Sequence, residues 1–276
     1  MKVNTDDIVI GTHIDSNINT INNTLESLPD NINAVQFFVD PSNDQNKYKS
    51  IKRTIIEKNI YAFIHSSYKI NIAKEWDDSS WWVKYMIYEI KTAHLLGVEG
   101  LVIHTGHKMN LHTSVAINNM YTFLMHIHNA TKNENNVKLL IETPAGQGSE
   151  MLSNYEKFIN FMTKFNTIDR FGVCIDTCHM FAAGYDIRKP KILKKIISQV
   201  KHNLCLIHLN DSKDDLGSLK DRHESLGYGF IGRVGLRKII KALKSINIPI
   251  ILETPSIQMI AKLSGFSIYH FVITLY

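Results

Sequence analysis

Eight short apolar runs divide the sequence at near-regular intervals: Ile8–His13, Ala34–Val39, Tyr61–Ile64, Gly100–Ile103, Lys138–Ile141, Gly172–Ile175, Leu204–Ile207 and Pro249–Leu252. The runs are continuous rather than alternating, the pattern of strands in a parallel sheet covered on both faces. Stretches with apolar residues at helical spacing separate them. Ile18, Ile21, Leu25 and Leu28 follow the first run. Trp82, Met86 and Ile90 follow the third, with Ser79 or Ser80 as the cap and Gly97 as the stop. A helix from about Thr113 to Ala130 follows the fourth. Ser153 and Glu156 have capping-box spacing ahead of Phe158, and Pro190 suits the first turn of the helix that carries Leu193 and Ile196. Eight strand–helix units in 276 residues predict an α/β chain, a single (β/α)8 TIM barrel forming one domain over residues 1–276.

The residues that close these runs carry the chemistry. From the third strand on they are His65, His104, Glu142, Asp176, His208 and Glu253, each about one strand–helix unit after the last. In a parallel barrel all strand C-termini open on one face, where active sites form. Six imidazoles and carboxylates are therefore expected on one rim. His179, just past the sixth strand, and Asp221 and His223, in the long loop after the seventh, flank them. Charged groups at the exits of buried strands are costly without partners. The mixed donor set suits zinc, manganese or iron better than magnesium or calcium. Nine donors exceed the needs of one four-coordinate ion, so a multinuclear site with a shared carboxylate is expected. Such a cluster can polarise a phosphoryl oxygen. Other histidines read more plainly. His94, His126, His128 and His202 fall in helical segments, His107 and His112 in the loop after the fourth strand, and His13 at the end of the first, as a supporting or structural residue.

Charge and cysteine content narrow the class. With 31 Lys and Arg against 26 Asp and Glu the net charge is +5, which permits a nucleic-acid partner without requiring one. Three cysteines, Cys174, Cys178 and Cys205, are an odd set, two of them in apolar runs, which argues for a reducing compartment. No run is long enough for a transmembrane helix, and the polar start Met1–Asp7 lacks the apolar core of a signal peptide. The expectation is an intracellular, cytoplasmic protein with no membrane association.

Three segments carry a resemblance. Leu140–Gly148, Gly172–Asp186, and His208 through Gly232 closely resemble the signature segments of the endonuclease IV family, the metal-dependent apurinic/apyrimidinic endonucleases of base-excision repair. The likeness runs from about Ile10 to Glu253, and the family fold is also a (β/α)8 barrel. It implies three zinc ions, with manganese or iron admissible at one position. His65, His104 and Glu142 match the ligands of one ion. Glu142, Asp176, His208 and Glu253 match those of a second, with Glu142 shared, and His179, Asp221 and His223 those of a third. Glu142, Asp176 and Glu253 are the expected catalytic residues. The implied reaction cuts the phosphodiester bond 5′ to an abasic site in duplex DNA, leaving a 3′-hydroxyl and a 5′-deoxyribose phosphate, with trimming of blocked 3′ ends besides. The implied partner is that duplex, met by a monomer with no obligate protein partner.

Tyr68, in His65–Asn71, matches the family's aromatic that enters the base stack. Lys69 departs from the usual apolar neighbour and is suited to a phosphate. Arg222, between two expected ligands, completes the expected DNA contacts. The penetrating arginine expected after the second strand has no match in Val39–Asn43, which reads as an ordinary surface turn. The tail over residues 256–276 also departs, being apolar and β-prone from Ser264 on where the family has a helix. Two other readings remain: a sugar isomerase or epimerase on a similar barrel, and a damage-binding protein that has lost catalysis.

Overall fold

The computed structural model describes residues 9–14, 17–29, 32–43, 47–244 and 246–253; the tail over 256–276 lies outside them. The barrel strands are β1 (Ile10–Ile14), β2 (Ala34–Phe37), β3 (Tyr61–His65), β4 (Gly100–Ile103), β5 (Lys138–Glu142), β6 (Phe171–Asp176) and β7 (Leu204–His208). Two short strands in the loop after β7, β8 (Asp211–Ser212) and β9 (His223–Glu224), pair antiparallel, and β10 (Ile250–Leu252) completes the barrel. The parallel order β1-β10-β7-β6-β5-β4-β3-β2 is closed, with Ile10 opposite Ile250. The helices are α1 (Ile18–Ser27), α2 (Tyr48–Glu57), α3 (Trp81–Leu96), α4 (Thr113–Ala130), α5 (Tyr155–Met162), α6 (Thr177–Ala182), α7 (Pro190–Val200) and α8 (Gly232–Leu243). The expected (β/α)8 barrel is the fold.

Local chemistry explains most of the boundaries. Gly97 ends α3 at φ 73°, and Pro190 opens α7. The cap of α5 differs from the expected one. Asn154, one residue after Ser153, accepts the Lys157 N–H at 3.0 Å, because an amide oxygen reaches that donor as well as a hydroxyl does. Ser80 does precede α3, but its hydroxyl is turned to Asp77 rather than to the helix. No helix among the described residues is long and apolar enough to cross a membrane.

The barrel interior is closed by one ring of side chains, a single residue from each strand or its edge: Val9, Ala34, Phe63, Val102, Leu140, Cys174, Leu206 and Ile251. Side chains two apart on a strand share a face. The next inward layer is therefore Gly11, Gln36, His65, His104, Glu142, Asp176, His208 and Glu253. The apolar ring is the floor on which these polar groups stand.

Candidate metal centre

All nine sequence-predicted donors come together. Glu142 stands at the middle. Its Oε2 lies 3.4 Å from His65 Nε2 and 3.2 Å from His104 Nε2, and its Oε1 lies 2.7 Å from His208 Nδ1. His208 Nδ1 is also 3.2 Å from Glu253 Oε2 and 3.8 Å from Asp176 Oδ2. The register sets this last pair, since Asp176 and His208 are direct neighbours across β6 and β7. On the far side, Asp221 Oδ1 lies 3.0 Å from His179 Nε2 and 3.3 Å from His223 Nε2. His223 Nε2 is 3.8 Å from Asp176 Oδ2, which links this group to the strand ends.

A cation fits these side chains. Glu142 Oε2, His179 Nε2 and His223 Nε2 are buried without a hydrogen-bond partner, a costly condition that ligation relieves. Two of the imidazoles are aimed from behind. His65 Nδ1 donates to the Ser66 carbonyl at 2.8 Å and His179 Nδ1 to the Thr143 carbonyl at 2.9 Å, so both present Nε2 to the centre. In three groupings the donor atoms lie within 4.8 Å of one another: His65, His104 and Glu142; Glu142, Asp176, His208 and Glu253; and Asp176, His179 and His223. Cys174 and Cys178 also come within that range of some of these donors. Burial pushes both thiols up to about 12.

The charges compensate one another. Burial works against the charge on Glu142, but His208 and His104 outweigh it and hold the carboxyl well below the usual range. Burial likewise opposes charge on His179, yet Asp176 and Asp221 raise it well above an ordinary imidazole. His208 is raised in the same sense, against burial, by Cys174, Glu253 and Glu142. His65, by contrast, is lowered by burial.

Several residues that sequence reasoning missed hold the donors in place. Gln36 is fully buried. Its Nε2 donates to Glu253 Oε1 at 2.6 Å and lies 3.0 Å from His13 Nδ1, while its Oε1 accepts from His208 Nε2 at 2.9 Å. This gives His13 its supporting place, 3.7 Å from Glu253. Asn210 Nδ2 donates to Asp176 Oδ2 at 2.6 Å and to Glu253 Oε2 at 3.2 Å, and its Oδ1 accepts the Glu253 N–H. Asp176 divides its carboxylate, with Oδ1 capping α6 at the His179 N–H, 2.8 Å away. Gln147 Oε1 accepts the Asp221 N–H at 3.0 Å. Behind β3, the buried Glu89 of α3 accepts from Ser66 Oγ and from the Ser67 N–H, each at 2.8 Å. Gln36 had a signal in the sequence: it lies two residues past Ala34, in phase with the donors on the other strands.

The three expected DNA contacts lie at the same mouth. Tyr68 is exposed, with its ring 5.1 Å from His65, 5.3 Å from His104 and 5.3 Å from Phe38. Lys69 is exposed beside it. Arg222 is exposed, and its Nη1 is turned back onto Gln147 Oε1 at 3.1 Å and onto its neighbour's carbonyl. The loop after β2 is a turn tied to α3, where the Tyr88 hydroxyl donates to the Asp40 carbonyl at 3.1 Å. Among the other histidines, His112 caps α4 and His126 pairs at 3.4 Å with Asp78 at the surface.

The family described as "Xylose isomerase-like TIM barrel" has a model that matches residues 30–265, and this, with the closed barrel, defines the class. A probable endonuclease 4 of Mesomycoplasma hyopneumoniae is 36% identical over 244 residues, spanning 84% of this chain and 87% of the relative. Within that class the chain belongs to the endonuclease IV family. The crystal structure of endonuclease IV from Thermus thermophilus matches with a TM-score of 0.80 at 23% identity, over 97% of this chain and 100% of that one. A D-tagatose 3-epimerase-like protein also matches, with a TM-score of 0.74 at 14% identity, over 96% and 97% of the two chains. At these identities the structural matches speak for the barrel alone.

Proposed function

We propose that this chain is a metal-dependent DNA-repair endonuclease that cuts 5′ to abasic sites in duplex DNA, leaving a 3′-hydroxyl and a 5′-deoxyribose phosphate, and that also trims blocked 3′ ends. One observation carries the reading: a single buried carboxylate, Glu142, serves two groups of donors, while Asp176 links the second group to a third. His65, His104 and Glu142 hold one ion, Glu142, Asp176, His208 and Glu253 a second, and His179, Asp221 and His223 a third. The imidazole and carboxylate donors favour zinc, with manganese or iron admissible at one position. When bound, such ions supply Lewis-acid stabilisation of charge on a phosphoryl oxygen.

The chain's own residues do the rest. Gln36 and Asn210 fix Glu253 and Asp176 against rotation. Tyr68 enters the base stack beside the lesion, where extrusion costs least because no base is stacked. Lys69 and Arg222 take phosphates, Arg222 exchanging its contact with Gln147. The protein acts as a monomer.

A sugar isomerase or epimerase is the second reading, favoured only by the shared barrel. It has no use for His179, Asp221 and His223 together. The deciding experiment incubates zinc-loaded protein with a duplex carrying one abasic analogue. Incision on the 5′ side of the analogue is expected, with little on undamaged duplex. An intact duplex together with interconversion of a free sugar ends the endonuclease reading. In protein never exposed to chelator, elemental analysis showing one zinc or less per chain also counts against it.

A further inference from the structure

The segment Ser225–Gly232, which follows His223, holds two large aromatic rings in solvent: Tyr228 is 73% exposed and Phe230 53%. A loop free to move would fold such rings inward. This one is pinned. The buried Asp211 spreads its carboxylate over the segment's backbone, accepting the Gly227 and Gly229 N–H groups on Oδ2 at 2.9 and 3.0 Å. Its Oδ1 accepts Ile231 and Gly232 at 3.0 and 3.2 Å, and the Ser212 N–H at 2.8 Å. The Phe230 N–H donates to the Ser212 carbonyl at 2.7 Å. Gly227 sits at φ 84°, and a Cβ on Gly229 would meet the Ser212 carbonyl oxygen at 2.3 Å. A buried charge and two glycines thus hold the rings outward.

Cations accompany the rings. The Arg233 guanidinium lies 5.4 Å from the Tyr228 ring centre, and Arg188, whose charge is paired with Asp186 at 2.7 Å, donates from Nη1 to the Phe230 carbonyl at 3.2 Å. The helix that the segment opens, α8, carries Arg233, Arg237, Lys238 and Lys241 and no acid. The segment leaves from the C-terminal rim, and Tyr228, five residues from His223, lies within about 18 Å of it even with the chain fully extended. Exposed rings paired with cations on such a rim match the edge of a DNA duplex, since the rings can lie against the apolar faces of its deoxyriboses and every linkage carries a charge for the arginine. A protein-docking patch lacks reason for this basic margin.

We infer that Tyr228 and Phe230 form a platform against which the sugar–phosphate edge of the duplex flanking the lesion rests, with Arg233 on an adjacent phosphate. This rests on the endonuclease reading above and extends its footprint beyond the metal centre.

Zinc-loaded protein is titrated with three fluorescent duplexes sharing one abasic analogue: one with long flanks and two truncated on either side. Relative to wild type, the pair Tyr228→Ala with Phe230→Ala weakens binding to the long duplex about tenfold, from the lost burial of the rings, and each single change less. One truncation abolishes the difference; the other does not. Tyr228→Phe keeps wild-type affinity because the ring remains, and Arg233→Gln lowers the salt slope by about one. Ile56→Ala, an equally exposed apolar residue at the opposite end of the barrel, changes nothing. Wild-type affinity in the double variant, or an equal loss on all three duplexes, overturns the platform. So does wild-type self-association that the double variant abolishes, which makes the patch an interface between copies. A wild type with no preference for the abasic duplex instead brings down the endonuclease reading, and it is read before any variant is made.

Discussion

The donors at the strand ends and the donors in the loop are held by different means. His65, Glu142, Asp176 and His208 are at most 1% exposed and stand on a closed ring of apolar side chains. Moving any of them means moving a barrel strand. The side chain of Asp221 is 33% exposed, and its position depends on Gln147 and on the short β8–β9 ladder. The strand-end set takes its geometry from the fold, whereas the loop set takes it from a few hydrogen bonds. The first is durable and the second adjustable.

The sharpest test of that difference is Glu142→Gln. It removes the one carboxylate that reaches both strand-end groups. Incision is expected to fall by more than about 100-fold, beyond the range typical of a residue that merely supports a ligand, while much of the binding to abasic duplex persists. Comparable losses in binding and incision would mean that Glu142 serves the fold rather than the chemistry.

Asp221→Asn comes next. It takes a donor from the loop set and leaves the strand-end set whole. Elemental analysis should find one ion fewer per chain, with incision down about 10- to 100-fold. Graded chelation of wild-type protein should remove that same ion first. Simultaneous loss of every ion would erase the distinction between the two sets.

Asn210→Ala leaves all nine donors in place and removes only the amide that orients Asp176 and Glu253. About a tenfold loss of metal affinity is expected, measured by competition with a calibrated chelator. An unchanged affinity would show that the strand ends orient their own carboxylates.

The effect that leaves the metal centre untouched falls on Glu89, where burial pushes the carboxyl up to about 8 from its ordinary 4.5. Unfolded, it loses its proton near 4.5, and folded only near about 8. Between these values the folded state keeps a proton that the unfolded state has released. This contribution to stability is full below pH 4.5 and is lost as pH rises to about 8. Glu89→Gln should flatten that slope in thermal melts across the window. An unaltered slope would assign the pH dependence to the donors instead.

The barrel was legible in the sequence because eight short continuous apolar runs alternate with stretches of helical spacing, the pattern of strands covered on both faces. Six donors were legible because each ends such a run, and His179, Asp221 and His223 because they flank those ends and fall in the segments that carry the family resemblance. Gln36 was not, since an amide between Val35 and Phe37 looks like an outward-facing residue until its phase against Ala34 is counted. Asp211 was not legible either, because its grip on five backbone N–H groups depends on a chain return from residue 227 onward. The helix α6 and the β8–β9 ladder were too short for any periodicity to register. The basic residue Arg222 was legible as a rim charge, but its turn onto Gln147 was not, because that contact spans 75 positions.

The clustered imidazoles have a consequence for how the protein would acquire its ions. His179 is raised above an ordinary imidazole by Asp176 and Asp221, and His208 by Cys174, Glu253 and Glu142. Without an ion, protons are what balance those carboxylates. An arriving cation must displace them, so uptake is a trade of protons for metal. Loading therefore acidifies an unbuffered solution, and apparent metal affinity climbs with pH until the imidazoles have given up their protons. Acidic storage would empty the centre without any chelator being added.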